Sequence, residues 1–242
     1  TQIDMELSYV TPEDVWTTVE GMLAHVFQKV LGITLKTPFP RLNYSEVMNR
    51  WGIDKPDTRF GMELCDLTEI SGHSGFKVFE ENVATGGVVK GIVLKGGGNY
   101  SRKQLDDLTE KAKSLGAGGL AYILRTESED KSPILKFIGE NVKDRLCEKA
   151  GATKGDALFM ISDKKLKTEQ ILGQLRLLLG REHKLVKPGE FQCLSNLLVG
   201  VCIHQYRSIA GEVGDHRFQP SVALRCKAWI VFRQSGHLRV VS

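Results

Sequence analysis

"NYSEVMNRWGIDKPDTRFGMELCDLT", residues 43–68, is the stretch on which the reading of this chain turns. Its first ten residues spell a short helix, in which Asn43 and Glu46 can form a capping box and Gly52 supplies the stop. The residues after Gly52 cannot continue that helix. Pro56 and the charged cluster Asp54, Lys55, Asp57 and Arg59 mark a polar loop, and by composition alone a solvated loop and a functional one have equal claim.

Upstream lies "TPEDVWTTVEGMLAHVFQKVLG", residues 11–32, with nearly every signal of an amphipathic helix. Thr11 can cap, Pro12 suits the first helical position, Asp14 completes a capping box and Gly32 ends the element. Val15, Val19, Met22, Leu23, Val26, Phe27 and Val30 fall on one face, which predicts a helix laid against a sheet. Before it, "TQIDMELSYV" alternates as an extended strand. Ile3, Met5, Leu7 and Tyr9 line one side; Gln2, Asp4, Glu6 and Ser8 line the other. Such a polar face is more often wet than functional. A carboxylate there could still meet a ligand ammonium, because a buried charge demands an opposite charge or hydrogen bonds.

Downstream, "SGHSG" at residues 71–75 reads as a hinge. From Phe76 to about Lys165 short strands alternate with helices. Strands are expected at "FKVF", "GVVKGIVLK", "GLAYILR", "ILKFI" and "DALFMIS", and helices at "SRKQLDDLTEKAKSLG" and "NVKDRLCEKAG". Together they make an α+β module of about 90 residues. "TEQILGQLRLLLGREH" then predicts a helix with Ile171, Leu172, Leu175, Leu178 and Leu179 turned inward, while the lysine-rich "SDKKLKTE" at its start reads as a solvated loop. From Ser195 to Ser242 there are short β-like runs and no clear element grammar.

Composition sets outer bounds. A chain of 242 residues with 41% hydrophobic and 26% charged residues is ordinary for a globular protein of one or two domains. No apolar run approaches the roughly 18 residues of a membrane span. The five cysteines are scattered, with no C-x-x-C spacing, and the six histidines form no H-E-x-x-H group, so neither a disulfide framework nor a transition-metal site is expected. The formal charge of +4 sits wholly in the last 48 residues, where six Arg or Lys stand against two acids, so net charge says nothing about what the first 194 residues bind. No signal or transit peptide is visible, and the chain starts inside a strand pattern, as the middle of a larger protein would.

Motifs for covalent chemistry are missing. No G-x-S-x-G elbow is present, "KGGGNYS" lacks the phosphate-loop spacing, and "TGGVVKG" reads as a turn entering a strand. His25 and His183 lie in or beside helices, where a packed or solvent-facing histidine is the stronger reading.

The quoted pieces share an order with one family. "TQIDMELSYV" before a T-P-E-D-V helix, "TPFPRLNYSEVMNRWGIDKPDTRFGMELCDLT", "SRKQLDDLTEKAK", "KSPILKF" and "ALFMISDK" followed by "LGQLRLLLG" together resemble aspartate–tRNA ligase of the bacterial and mitochondrial type, across residues 1–194. The Y-S-E-V-M and D-K-P-D-T-R-F-G stretches carry most of the specificity. The resemblance implies an α+β fold: a partial class II synthetase antiparallel sheet with flanking helices over residues 1–72, an inserted GAD domain over 76–165, and a return to the core over 166–194. Residues 195–242 remain an unmatched tail.

In such enzymes the opening strand belongs to motif 2. The resemblance therefore places Asp4 near the substrate α-ammonium, with Gln2 beside it as a hydrogen-bonding neighbour; Glu6 shares that face without an assigned contact. It implies ATP and Mg²⁺ as cofactors, aspartate and tRNA(Asp) as substrates, a homodimer, and no membrane. The reaction implied is attack of the aspartate carboxylate on the ATP α-phosphorus, then transfer of the aspartyl group to a terminal ribose hydroxyl. The texture of the inserted module ranks a bacterial, cytoplasmic source before the mitochondrial matrix.

Departures from the family matter too. The motif 2 arginine, motif 1 and the anticodon-binding barrel would lie upstream of Thr1. After "EFQCL" the expected W-V-x-D-F-P strand, acidic metal-binding strand and motif 3 arginine give way to "SNLLVG", as a shifted frame, alternative exon or retained intron would produce. With the main ATP and Mg²⁺ ligands missing, the chain alone is expected to be inactive. The competing expectation is a non-catalytic GAD-containing fragment that binds tRNA or protein.

Overall fold

The computed structural model describes residue 9, residues 11–187, and the backbone of strands at 192–196, 200–204, 229–232 and 238–241. The strand expected over the opening residues therefore lies outside the described residues, as do Gln2 and Asp4. In chain order the first elements are α1 (Pro12–Leu31), β1 (Arg41–Leu42), α2 (Tyr44–Trp51), β2 (Cys65–Asp66), α3 (Thr68–Ser71), α4 (Lys77–Ala84) and β3 (Val88–Leu94). After them come α5 (Arg102–Ser114), β4 (Ala121–Arg125), β5 (Asp130–Lys131), α6 (Glu140–Ala150), β6 (Ala157–Asp163) and α7 (Lys165–Glu182). The last are β7 (Gln192–Asn196), β8 (Gly200–His204), β9 (Trp229–Phe232) and β10 (Leu238–Val241).

The chain divides into two compact units. The first gathers the described residues up to Glu46, Asp57–Arg59, and those from Val186 onward. Here α1 forms as its sequence predicts: Thr11 and Asp14 make the reciprocal capping box, and Gly32 closes the helix in the left-handed region at φ 69°. Val15, Val19 and Leu23, spaced four apart, are buried with Trp16 and Phe27. β1 pairs in parallel with β7, Arg41 opposite Ser195, and β7 pairs antiparallel with β8. β9 and β10 form a separate antiparallel pair.

The second unit, Val47–Pro56 with Phe60–Leu185, is built on a five-stranded antiparallel sheet in the order β2-β3-β6-β4-β5. Its central strands are apolar on both faces, because helices cover both. Ile92 and Leu94 of β3 and Phe159 and Ile161 of β6 pack with Leu105 and Leu108 of α5 and Leu172, Leu175 and Leu179 of α7. The alternate residues, Val89, Val93, Leu158 and Met160, pack with Phe79 of α4, Leu146 of α6, and Ile134 and Ile138. Strand alternation thus sorts one sheet into two cores.

Three expectations change. "FKVF" opens α4, whose first turn buries Phe79 and leaves Val78 outside; Phe76 and Phe79 are a helical step apart. "ILKFI" is a run of turns in which Ile134 and Ile138 face the core, with the Ser132 hydroxyl accepting from the Ile134 N–H at 3.2 Å. "SDKKLKTE" is the end of β6 and the first turn of α7, and at the junction the Asp163 carboxylate accepts from the Lys164 N–H at 2.7 Å. Three lysines at the positive end of a helix run against its dipole, which is why the pattern reads as loop.

Asp156 clips two turns of this unit together. It accepts from the Lys95 ammonium (2.8 Å), the Gly96 N–H (3.2 Å), and the N–H and hydroxyl of Thr153 (2.8 Å each). Burial pushes its carboxyl up, but these donors together outweigh burial and hold it below the ordinary value. A folded-state value below the unfolded one stabilises the protein above the unfolded pKa, near 4, and the gain disappears as pH falls through the folded value. Urea midpoints followed from neutral to acidic pH are expected to show a shallower acid limb for Asp156→Asn, with lower stability at neutral pH. An acid limb identical to the parent's would remove Asp156 from that role.

Candidate functional site

Within the first unit the polar residues interlock. Glu20 of α1 is 3% exposed and accepts from the Arg41 guanidinium and from the Phe39 N–H at 3.2 Å. Arg41 also donates to the Phe39 carbonyl at 2.9 Å, reaches Glu13 at 3.3 Å, and lies 4.6 Å over the Trp16 ring. A guanidinium held on a carboxylate, a carbonyl and an aromatic face is a structural tie between α1 and β1. In the loop after α2, Arg59 grips Asp57 through two nitrogens, at 2.9 and 2.5 Å, and both side chains are largely buried. This bidentate pair sets the shape of the D-K-P-D-T-R-F-G loop. Two buried donors, Trp16 Nε1 and Thr58 Oγ1, have no hydrogen-bond partner among the described residues.

The second unit anchors the remainder of the 43–68 stretch. Lys90, 1% exposed on β3, reaches Glu169 of α7 at 2.7 Å and the Asn49 side-chain oxygen of α2 at 2.7 Å. One ammonium therefore joins the sheet, α7 and α2. Seven residues further along α7, the fully buried Arg176 donates to three consecutive carbonyls, Phe60 (2.9 Å), Gly61 (3.0 Å) and Met62 (3.0 Å). Its guanidinium also stacks 4.2 Å over the Phe60 ring. Between these anchors α2 meets α7 backbone to backbone. Gly52, at φ 72°, has no room for a Cβ against the Glu169 carbonyl, and a Cβ on Gly173 would stand 2.8 Å from the Trp51 carbonyl oxygen.

Among the described residues no thiol is poised to act as a nucleophile. Burial pushes Cys65 up to about 11, and burial likewise raises Cys147, so both are protonated at neutral pH. His183 meets the Tyr100 hydroxyl at 2.7 Å, and burial pushes that phenol up to about 12. No group of three His, Cys, Asp or Glu side chains among the described residues could hold a metal ion. Neither Lys90 nor Arg176 stands out as a functional motif in the sequence, although a lone cation within "VVKGIVL" or "LGQLRLLLG" is a readable anomaly.

Residues 79–172, within the sheet unit, match the GAD domain family. Beyond that domain, the chain is 46% identical over 186 residues to aspartate–tRNA(Asp/Asn) ligase of Aquifex aeolicus, which covers 77% of this chain and 31% of that protein. Aspartate–tRNA ligase of Halalkalibacterium halodurans is 46% identical over 195 residues, 80% of this chain and 33% of its own length. That of Clostridium perfringens is 44% identical over 187 residues, 77% of this chain and 31% of its own. The chain thus spans about a third of the length of the curated relatives it matches, and the resemblance read from its motifs is borne out.

Proposed function

We propose that this chain is part of a ligase that activates aspartate with ATP and transfers it to tRNA(Asp) in protein synthesis. The observation that carries the reading is identity of 44–46% to bacterial aspartate–tRNA ligases over more than three quarters of the chain. In this reading residues 1–72 and 166–194 belong to a partial class II antiparallel sheet with flanking helices, and the GAD module is inserted over 76–165. Asp4 meets the substrate α-ammonium and Gln2 hydrogen-bonds beside it. The protein works as a homodimer in a bacterial cytoplasm.

The chemistry needs no enzyme nucleophile, since the aspartate carboxylate itself attacks the α-phosphorus of ATP. Catalysis then rests on holding reactants in line and stabilising charge. When bound, Mg²⁺ would supply charge stabilisation on the phosphates; no described residue is assigned to it. The protonated thiols and the structural engagement of Lys90 and Arg176 fit a supporting role for the described residues of the sheet unit.

A chimera tests this. The matching stretch of this chain, placed in the Halalkalibacterium halodurans ligase, is expected to retain aspartate-dependent ATP–pyrophosphate exchange and charging of tRNA(Asp). A folded, dimeric chimera that does neither would refute the reading. The second reading, a binding fragment, is favoured by the two-sided core of the sheet unit; tRNA binding without charging in that chimera would point to it.

A further inference from the structure

Residues 71–75, expected from their composition to be a hinge, form a locked turn. The N–H groups of Ser71, Gly72, His73, Gly75 and Phe76 all have acceptors: the carbonyls of Leu67, Thr68 and Ile70, the Glu80 carboxylate and the Ser74 hydroxyl. Ser71 is 0% and Ser74 3% exposed, and the Ser74 hydroxyl donates to the Ser71 carbonyl at 2.8 Å. Gly75 sits at φ 80°, and a Cβ there would stand 2.9 Å from the Phe137 carbonyl oxygen. The Phe76 ring meets those of Phe79 at 4.9 Å and Phe137 at 5.5 Å. A hinge needs backbone that turns at little cost, whereas turning this one breaks hydrogen bonds and unseats a ring.

The residues before the turn are tied to the sheet as firmly as those after it. α2 reaches β3 and α7 through Lys90, whose ammonium holds both the Asn49 side-chain oxygen and Glu169. A Cβ on Gly52 would stand 2.0 Å from the Glu169 carbonyl oxygen. Residues 60–62 hang on Arg176, and a Cβ on Gly180 of the same helix would meet the Phe60 ring at 2.5 Å. Arg50 closes the group: its guanidinium grips Glu63 at 2.9 and 2.6 Å, and its carbonyl accepts the Leu64 N–H at 2.8 Å. The GAD match begins only at Phe79, so the ties of Asn49 to Lys90 and of Gly52 to Glu169 cross from outside the matched residues into them.

We propose that α2 from Val47 onward, residues 60–76 and the sheet module are one rigid lever, with no joint at 71–75. Pro56 and Phe60 both belong to this body, while the three residues between them, Asp57–Arg59, do not. A displacement of the sheet therefore shifts both ends of the D-K-P-D-T-R-F-G loop in a single rigid motion, as coupling through packed elements requires.

Native-state hydrogen exchange of the full 242-residue chain in rising urea tests the lever. The amides of Gly52, Leu64, Ser71 and Gly72 are expected to open with the same free energy and the same urea dependence as those of β3 and β6. Opening of these four at a lower free energy, with little urea dependence, is the signature of a hinge and would overturn the proposal. Gly75→Ala puts a Cβ where neither the φ nor the space admits one. It should speed exchange at least about fivefold, by the same factor in β3, α2 and Leu64. In a hinge the same substitution would stiffen the chain and leave exchange of the sheet unchanged or slower. That outcome, or faster exchange in β3 with α2 and Leu64 unmoved, refutes the lever. Should Gly75→Ala not fold, the parent's urea series decides alone.

Discussion

Replacing Arg176 with methionine is expected to destabilise the sheet unit by about 3–5 kcal/mol. The residue is fully buried in α7, and its guanidinium serves the carbonyls of Phe60, Gly61 and Met62. Methionine fills much of the volume and donates nothing. The Phe60 carbonyl, whose bond is buried, costs about 1–3 kcal/mol when left without its donor, the part-buried Gly61 and Met62 carbonyls cost less, and the stack on Phe60 is lost as well. Against a domain stability of about 5–15 kcal/mol that is a large fraction. Urea unfolding followed by hydrogen exchange gives the readout: amides of residues 60–64 and α7 should lose protection, while α1, in the other unit, serves as the internal comparison. Arg176→Lys should recover only part of the loss, because an ammonium lacks the planar fork that reaches three successive oxygens. If the methionine variant keeps the parent's midpoint and protection, the clamp is idle.

The second large effect concerns Lys90 and Glu169, buried partners 2.7 Å apart. Removing either one strands the other charge in the core, so Lys90→Met and Glu169→Leu should each cost about 3–5 kcal/mol. Replacing both with apolar residues should return stability close to the parent's, because desolvation of two ions offsets much of their attraction. Asn49 then loses its donor, which caps the recovery. A double-mutant cycle on urea midpoints measures this coupling directly. Strictly additive losses would mean that Lys90 and Glu169 act independently and that the shared contact carries no weight.

Sequence periodicity reached most of the regular elements. α1 and α5 are bounded by capping boxes that the structure contains, and β3, β4 and β6 carry runs long enough to be unambiguous. "FKVF" failed because four residues fit both periods: Phe76 and Val78 alternate as in a strand, whereas Phe76 and Phe79 share a helix face. Burial of Phe79 in the core beneath α4 decides it, and that is tertiary information. α3 was missed because it is a single turn of four residues.

The supporting network was only half legible. Lone cations in the apolar runs of β3 and α7 are visible in one dimension, but their partners lie 79 residues away for Lys90 and 114 to 116 away for Arg176. Nothing local announces such pairings. The backbone contact of Gly52 with α7 is likewise unreadable, since a helix-stopping glycine explains the residue without it. Asp4 and Gln2 came from family resemblance rather than alternation, and they lie outside the described residues.

The Arg176 clamp also dictates an order of events during synthesis. The three carbonyls it serves emerge from the ribosome more than a hundred residues before the side chain that satisfies them. Until α7 appears, Lys90 has no carboxylate from Glu169 and one face of the β3–β6 layer is covered by α5 alone. Closing a loop that long is entropically slow, and non-local pairing delays the gain that rewards it. The sheet unit is therefore bracketed by a latch that arrives late, and the nascent chain must stay soluble with part of one core open until the latch shuts.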